Sequence, residues 1–129
     1  RLLPLICYEI IYTGNIFNSR DFDFIVNISE DGWFGKSIGP YQHFAHSIYR
    51  AIESGKYVLR SANNGIAAIV NPLGVIEGQV DLNQSGYIDL IKTKKIEPTI
   101  FSKYGNKIFV LIILVYISMI FSFNKNKDE

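Results

Sequence analysis

Hydrophobic positions in residues 1–100 follow the patterns of β-strands, interrupted by short polar turns. Apolar runs of about four to eight residues, bounded by Gly, Pro, Asn or Ser, are typical of buried strands. Asn71-Pro72-Leu73-Gly74 is a turn signal, and the segment after it returns as the second strand of a hairpin. The predicted strands cover residues 2–8, 23–29, 57–62, 66–71, 75–80 and 86–91.

One segment has the period of an amphipathic helix instead. Gly39-Pro40 opens it, with Pro40 at the tolerated first position, and Gly55 fits the C-terminal cap. Phe44, Ile48, Ala51 and Ile52 are predicted to line the buried face, and Gln42, His46, Arg50 and Glu53 the polar face. Strands that are followed along the chain by a helix and then by a hairpin indicate an α/β fold.

The C-terminal pattern is continuous rather than periodic. Residues 108–123 contain no charge, no Gly and no Pro, and Lys107 and Lys125 flank them. A helix of this run is about 24 Å long, somewhat short of a hydrocarbon core of about 30 Å. A small chain offers too little core to surround such a helix. We therefore predict a transmembrane helix over 107–123, a connector over 101–106 and a short basic tail over 124–129.

Composition excludes several classes of protein. The formal net charge is +1 and the 13 basic residues are dispersed, which argues against a nucleic-acid partner. A single cysteine excludes an internal disulfide framework. Because the chain opens at Arg1 inside an apolar run, we expect it to be the C-terminal part of a longer protein.

The single cysteine, Cys7, ends the first predicted strand and precedes Tyr8 and Glu9. A small apolar filler of the core is one interpretation. The other is a nucleophile, since a thiol at a strand-to-helix turn lies near backbone N–H groups without partners, and the N–H of Tyr8 would face an oxyanion. Glu9 is the nearest carboxylate, although a carboxylate at the start of a helix also has a purely structural role.

The glycine-rich stretch 29–44 carries Trp33 and Phe34. Such aromatic side chains either pack the loop onto the core or form an apolar contact surface. His43 and His46 lie three residues apart on the predicted helix, but no further ligands stand at metal-binding spacing, so we predict no metal.

The segment RSANNG, residues 60–65, is predicted to form a tight turn at a strand end. Arg60 and Ser61 either face a site or cap the sheet. Composition does not separate these two interpretations.

The motifs ICYEI, NISEDGWFGKSIGPYQHF and RSANNG, in this order, resemble the C-terminal half of the apolipoprotein N-acyltransferases. This family is the membrane-bound branch of the nitrilase, or carbon–nitrogen hydrolase, superfamily. The resemblance implies an αββα sandwich in the periplasm, carried on helices of the bacterial inner membrane, with a cytoplasmic C-terminal tail. It implies acyl transfer from a phospholipid, through a cysteine thioester, to the diacylglyceryl-modified cysteine of an apolipoprotein, without cofactor or metal.

The resemblance also implies roles for individual residues. Cys7 matches the nucleophile, the backbone N–H of Tyr8 lies at an oxyanion-hole position, and Glu9 matches a supporting carboxylate. Trp33 and Phe34 match a loop that meets the lipid substrate.

The chain departs from the family pattern in one respect. The Glu and Lys of the nitrilase triad precede the cysteine, but only six residues precede Cys7 and none is Glu or Lys. Glu53 and Lys56 lie downstream and do not replace them. We therefore expect the chain alone to be inactive and to require an N-terminal half as partner. The alternatives are a membrane-anchored amide hydrolase of the same superfamily and a non-catalytic, decayed fragment.

Overall fold

The computed structural model describes residues 1–14, 21–94 and 96–125, with side chains as far as residue 123. Its centre is a five-stranded sheet in the order β1-β2-β3-β4-β5. The first three strands are parallel, and the last two add antiparallel neighbours. This mixed α/β architecture confirms the predicted class. The strands are β1 Leu2–Ile6, β2 Phe24–Glu30, β3 Tyr57–Asn63, β4 Ala67–Val70 and β5 Ile76–Val80.

Helix α1, Gly39–Ser54, connects the parallel strands β2 and β3, as a parallel pair requires. It begins with Pro40 in its first turn and ends at Gly55, whose φ of 67° is the left-handed cap conformation. The predicted helix start and cap are therefore confirmed.

Helix α1 packs on one face of the sheet, and this layer contains the core. Alternate residues of β1–β4 point into it, which is the period-two pattern of a sheet with one covered face. Phe44 and Ala51 of α1 meet this face and Ile48 packs against it, but Ile52, the fourth predicted member of the apolar stripe, is 45% exposed. The core residues of the strands are Leu3, Leu5, Ile25, Val58, Ala68 and Val70.

The register of the parallel strands brings their carboxyl ends together. Ile6 lies opposite Ile28, and Ile28 lies opposite Ser61. The residues that follow β1, β2 and β3 therefore meet at one edge of the sheet. Two short 3-10 helices lie there: η1, Cys7–Ile11, and η2, Gly32–Phe34.

The predicted strand over 86–91 is wrong. This segment joins none of the five strands, although the hairpin of β4 and β5 before it is confirmed. A Cβ placed on Gly78 of β5 would lie 2.5 Å from the side chain of Ile88. The chain therefore crosses the face of β5 instead of pairing with an edge, which an extended apolar pattern does not distinguish.

Two further helices follow: α2, Ile100–Tyr104, and α3, Lys107–Lys125. Over the residues with described structure, no helix combines the length and the apolar character needed to cross a membrane. The transmembrane helix predicted over 107–123 is therefore not seen among the described residues.

Candidate functional site

The turn that follows β1 places Cys7 in an unusual backbone conformation. Its φ is 48°, in the left-handed region that L-residues with a side chain seldom adopt. Strained residues of this kind concentrate at functional sites. The side chain is half-buried, and Sγ lies 3.7 Å from the hydroxyl of Ser29 and 4.0 Å from the carbonyl oxygen of Glu30. Cys7 thus lies at the edge of the sheet and outside the apolar core.

The two residues after Cys7 lie in the first turn of η1. Glu9 Oε2 accepts a hydrogen bond of 2.6 Å from the backbone N–H of Ile6, so its carboxylate closes the turn from the strand side. Tyr8 is exposed, and its ring stacks on His43 with 5.0 Å between centroids. Its backbone N–H belongs to the first turn of η1, where N–H groups lack acceptors within the helix.

Beneath the Cys7 turn lies a set of polar side chains that we call the buried polar cluster. Its members are at most 6% exposed and come from β2, the residue after β2, α1 and β3. Burial of polar groups is costly unless they hydrogen-bond to one another. The buried polar cluster consists of Asn27, Ser29, Asp31, His43 and Arg60.

Asp31 is the centre of the buried polar cluster. Its carboxylate accepts hydrogen bonds from Ser29 Oγ at 2.8 Å and Arg60 Nη2 at 2.7 Å, and lies 2.9 Å from His43 Nδ1. Burial raises the pKa of Asp31, but the hydrogen bond from Ser29 and the charge of Arg60 outweigh it, so the net shift is downward. Asp31 is therefore ionised and paired at neutral pH.

The turn 60–65 fits around this carboxylate. A Cβ on Gly65 would lie 2.3 Å from Asp31 Oδ2, so only glycine leaves room at this position. Arg60 faces the buried polar cluster, and its Nε also donates to the carbonyl of Ile66 at 3.1 Å. Burial lowers the pKa of Arg60 and the charge of Asp31 opposes that shift. Of the two interpretations of 60–61, the structure places Arg60 in the site and leaves Ser61 exposed.

The buried polar cluster reaches the backbone of Cys7. Asn27 Nδ2 donates to the carbonyls of Leu5 at 3.0 Å and Cys7 at 3.3 Å, and Arg60 donates to Asn27 Oδ1. His43 Nε2 also lies 3.3 Å from the Cys7 carbonyl oxygen. The carbonyl of the strained residue therefore faces two polar side chains.

A second buried side chain of α1, Arg50, reaches the other end of η1. Its guanidinium donates to the carbonyls of Ile10, Ile11 and Tyr12 at 2.5–3.2 Å and to Glu53 at 2.8 Å. The prediction that Arg50 lies on the polar, solvent-facing side of α1 is wrong. The free carbonyls at the end of η1 supply the buried acceptors that its charge requires.

The loop after β2 contains the two predicted lipid-contacting residues, and they differ. Trp33 is 76% exposed, and its Nε1 donates at 2.6 Å to the carbonyl of Glu30, the same oxygen that lies 4.0 Å from Cys7 Sγ. Phe34 packs instead, 6.2 Å from the ring of Tyr8 and 5.7 Å from that of His43. The structure thus gives Phe34 a packing role and leaves Trp33 as an apolar contact surface.

The Glu30 side chain fixes the start of this loop. Its carboxylate accepts hydrogen bonds from the backbone N–H of Gly32 at 2.7 Å and from the side chain of Asn63. These bonds, the one from Asn63 first, lower the pKa of Glu30. The loop is therefore anchored at its β2 end, while Trp33 stays mostly exposed and its ring contacts only that of its neighbour Phe34 among the ring contacts described, at 6.5 Å between centroids.

The buried polar cluster is the part of the site that the sequence patterns did not predict. The spacing of His43 and His46 raises only the question of a metal site, and in the part of the chain that the structure describes no three His, Cys, Asp or Glu side chains converge to bind a metal. One signal was available: Asn27 and Ser29 continue the inward-facing alternation of Ile25. Polar residues at core positions of a strand indicate a buried network.

Comparisons with known proteins point to one family. Residues 1–96 match the family model of the carbon–nitrogen hydrolases. The chain is 48% identical over 122 residues to the apolipoprotein N-acyltransferase of Rickettsia bellii (strain RML369-C), covering 93% of this chain and 24% of that protein. It is 46% identical over 129 residues to the apolipoprotein N-acyltransferase of Rickettsia typhi, covering 94% of this chain and 26% of that protein. For the Bradyrhizobium diazoefficiens protein of the same name, the identity is 43% over 105 residues, covering 81% of this chain and 20% of that protein. The chain thus spans about a quarter of the length of the Rickettsia relatives.

Proposed function

Because the chain belongs to the carbon–nitrogen hydrolase family, we propose that it supplies the nucleophile of an apolipoprotein N-acyltransferase. The observation that carries the proposal is the left-handed backbone of Cys7 at the carboxyl end of a parallel strand. In this conformation Cys7, with its half-buried side chain, is the first residue of η1. The identities of 43–48% to acyltransferases support this chemistry over other reactions of the family.

The proposed reaction has two acyl-transfer steps. The general base of the N-terminal half takes the thiol proton of Cys7, and the thiolate attacks the ester carbonyl of a phospholipid. A C–S bond forms, the ester C–O bond breaks, and the base passes the proton to the departing lysophospholipid alkoxide. The free α-amine of a diacylglyceryl-modified cysteine then attacks the thioester. The C–S bond breaks, an amide forms, and the amine proton returns to the thiolate. Covalent catalysis thereby divides one difficult transfer into two easier ones.

Within this proposal the backbone N–H of Tyr8 stabilises the oxyanion of each tetrahedral intermediate. Glu9 supports the turn through the N–H of Ile6. Trp33 contacts the lipid chains, and Phe34 packs the loop beside them. The general base and the lysine of the triad come from an N-terminal half.

The sheet face opposite α1 is uncovered over β1 and β2, which supports an N-terminal half that completes an αββα sandwich. The face opposite α1 carries apolar side chains at alternate strand positions, among them Leu2 (63% exposed), Ile6 (57%) and Ile28 (55%). Two apolar sheet faces that pack about 10 Å apart are the usual means of covering such side chains. The chain's coverage of only 24–26% of the Rickettsia relatives leaves ample length for this half.

The proposed location is the bacterial inner membrane, with the Cys7 turn on the periplasmic side and the C-terminal tail in the cytoplasm. Both proposed substrates are lipids. The apolar side chains of α3 are exposed around the helix, which suits contact with lipid. The most exposed of them are Phe109, Leu111, Tyr116, Phe121 and Phe123.

A chimera tests the proposal. In the Rickettsia bellii acyltransferase, the segment that matches this chain is replaced by this chain. The chimera is then incubated with phospholipid vesicles and a diacylglyceryl-cysteine peptide. We expect N-acylated peptide by mass spectrometry, and none from the Cys7→Ser variant.

The competing hypotheses predict different outcomes. An amide hydrolase would cleave water-soluble amides and leave the peptide amine unmodified. A decayed fragment would give the same result with and without Cys7. Either outcome contradicts the proposal.

A further inference from the structure

The strained backbone of Cys7 requires a stabilising contact from outside η1. A left-handed residue with a side chain is strained and persists only where its surroundings fix it. The stabilising contacts are made by the carbonyl oxygen of Cys7, which lies 3.3 Å from both Asn27 Nδ2 and His43 Nε2. Asn27 is on the neighbouring strand β2, whereas His43 reaches the turn from α1.

His43 is itself fixed in place. Its side chain is almost fully buried, its Nδ1 lies 2.9 Å from Asp31 Oδ1, and its ring stacks on Tyr8. A carboxylate and a carbonyl oxygen can only accept hydrogen bonds. A proton on Nε2 lets His43 donate to the carbonyl of Cys7 while Nδ1 faces Asp31. Arg60 Nη2, 3.3 Å from Nδ1, is the other charged group beside the ring.

We propose that His43, oriented by Asp31, is a positioning residue for the nucleophile. The Nε2–H of His43 fixes the carbonyl of Cys7 and thereby the left-handed φ that presents the sulfur. The inference rests on the proposed function, because it assumes that Cys7 is the attacking residue. It assigns His43 no proton transfer, since its contact is with the backbone and not with a reacting atom.

Two substitutions that differ by one methylene test this role. In His43→Gln the side-chain amide is long enough to donate to the Cys7 carbonyl, whereas in His43→Asn it can reach only Asp31. Both keep a polar group in the buried polar cluster. His46→Gln is the matched control, since His46 lies on the same helix with its ring edge-on against Tyr49.

Kinetics of the chimera give the first readout. Misplacement of a reacting group by about 1 Å costs about 100-fold in rate. We expect His43→Asn to lower kcat about 100-fold with KM for phospholipid unchanged. His43→Gln should recover to within about tenfold of the parent, and His46→Gln should match the parent. Equal kcat values for the Gln and Asn variants, or a loss confined to KM, would overturn the inference.

Alkylation of Cys7 by iodoacetamide in the 129-residue chain gives a second readout without turnover. The rate should fall in His43→Asn relative to His43→Gln at equal helix content by circular dichroism. Equal alkylation rates would count against positioning. If the parent chimera transfers no acyl chain but the alkylation rates differ as expected, the proposed function fails while the positioning role stands.

Discussion

The turn at Cys7 and the loop at Trp33 meet at one carbonyl, that of Glu30, yet the protein fixes them very differently. The turn rests on buried polar side chains from β2, α1 and β3, and hydrogen bonds reach η1 at both ends. The loop leaves Trp33 mostly exposed, with one indole hydrogen bond. An attacking atom needs fixed geometry, whereas a surface that meets lipid chains needs access. The difference suggests that stability and substrate binding are separable here.

The largest expected effect comes from breaking the buried support of the turn. Asp31→Ala leaves Arg60 buried without a counter-charge, and loss of one partner of a buried ion pair costs about 3–5 kcal/mol. The free energy of unfolding, measured by urea denaturation of the chain, should fall by that amount. Asp21→Ala is the control, because its carboxylate pairs with Arg1 at the surface. An Asp31→Ala loss no larger than that of Asp21→Ala would contradict the account.

A smaller loss of stability is expected at low pH. Because the folded pKa of Asp31 lies below its ordinary value of 3.8, its contribution to stability is complete above that value. The contribution is lost as the pH falls through the folded pKa. Urea midpoints should therefore decline more steeply below about pH 4 in the parent than in Asp31→Asn, which cannot titrate there.

Glu30 has a lowered pKa as well and adds acid sensitivity of the same sign. Glu30 is present in both the parent and the Asp31→Asn variant. The difference between their urea midpoints at each pH therefore reports the contribution of Asp31 alone. Parallel profiles would show that Asp31 is not ionised and paired in the folded state.

The smallest effect on stability is expected at the loop. Trp33→Ala removes an exposed side chain and one hydrogen bond, which is worth about 1 kcal/mol at most. In the chimera we expect KM for phospholipid vesicles to rise about fivefold, equivalent to about 1 kcal/mol of binding, with kcat changed little. Phe34→Ala is the comparison, since Phe34 packs on Tyr8 and should cost more stability. A large stability loss in Trp33→Ala would remove the contrast between the turn and the loop.

Local patterns predicted most of the fold. The existence of β1–β3, the hairpin and α1 follows from apolar periodicity together with Pro40 and Gly55, which are properties of neighbouring residues. The prediction of a strand over 86–91 is wrong because an apolar extended pattern does not reveal whether the segment pairs with a sheet edge or packs on a sheet face.

The buried polar cluster could not be predicted in the same way. Asn27, Asp31, His43 and Arg60 come from three separate segments, and the strand register brings them together. Periodicity predicts that a charged residue of a helix faces solvent, and for this reason it predicts the wrong face for Arg50, which is buried. Cys7, in contrast, was identified by its local position at a strand end, and the structure places it there.

The central claim is that the sulfur of Cys7 is the attacking atom, and one measurement tests it most directly. The chimera is incubated with phospholipid in the absence of an acceptor peptide and then digested for peptide mass spectrometry. The account predicts a long-chain acyl group on the peptide that contains Cys7, released by neutral hydroxylamine as a thioester. An acyl group on any other residue, or N-acylation that persists in Cys7→Ser once acceptor is added, would contradict it.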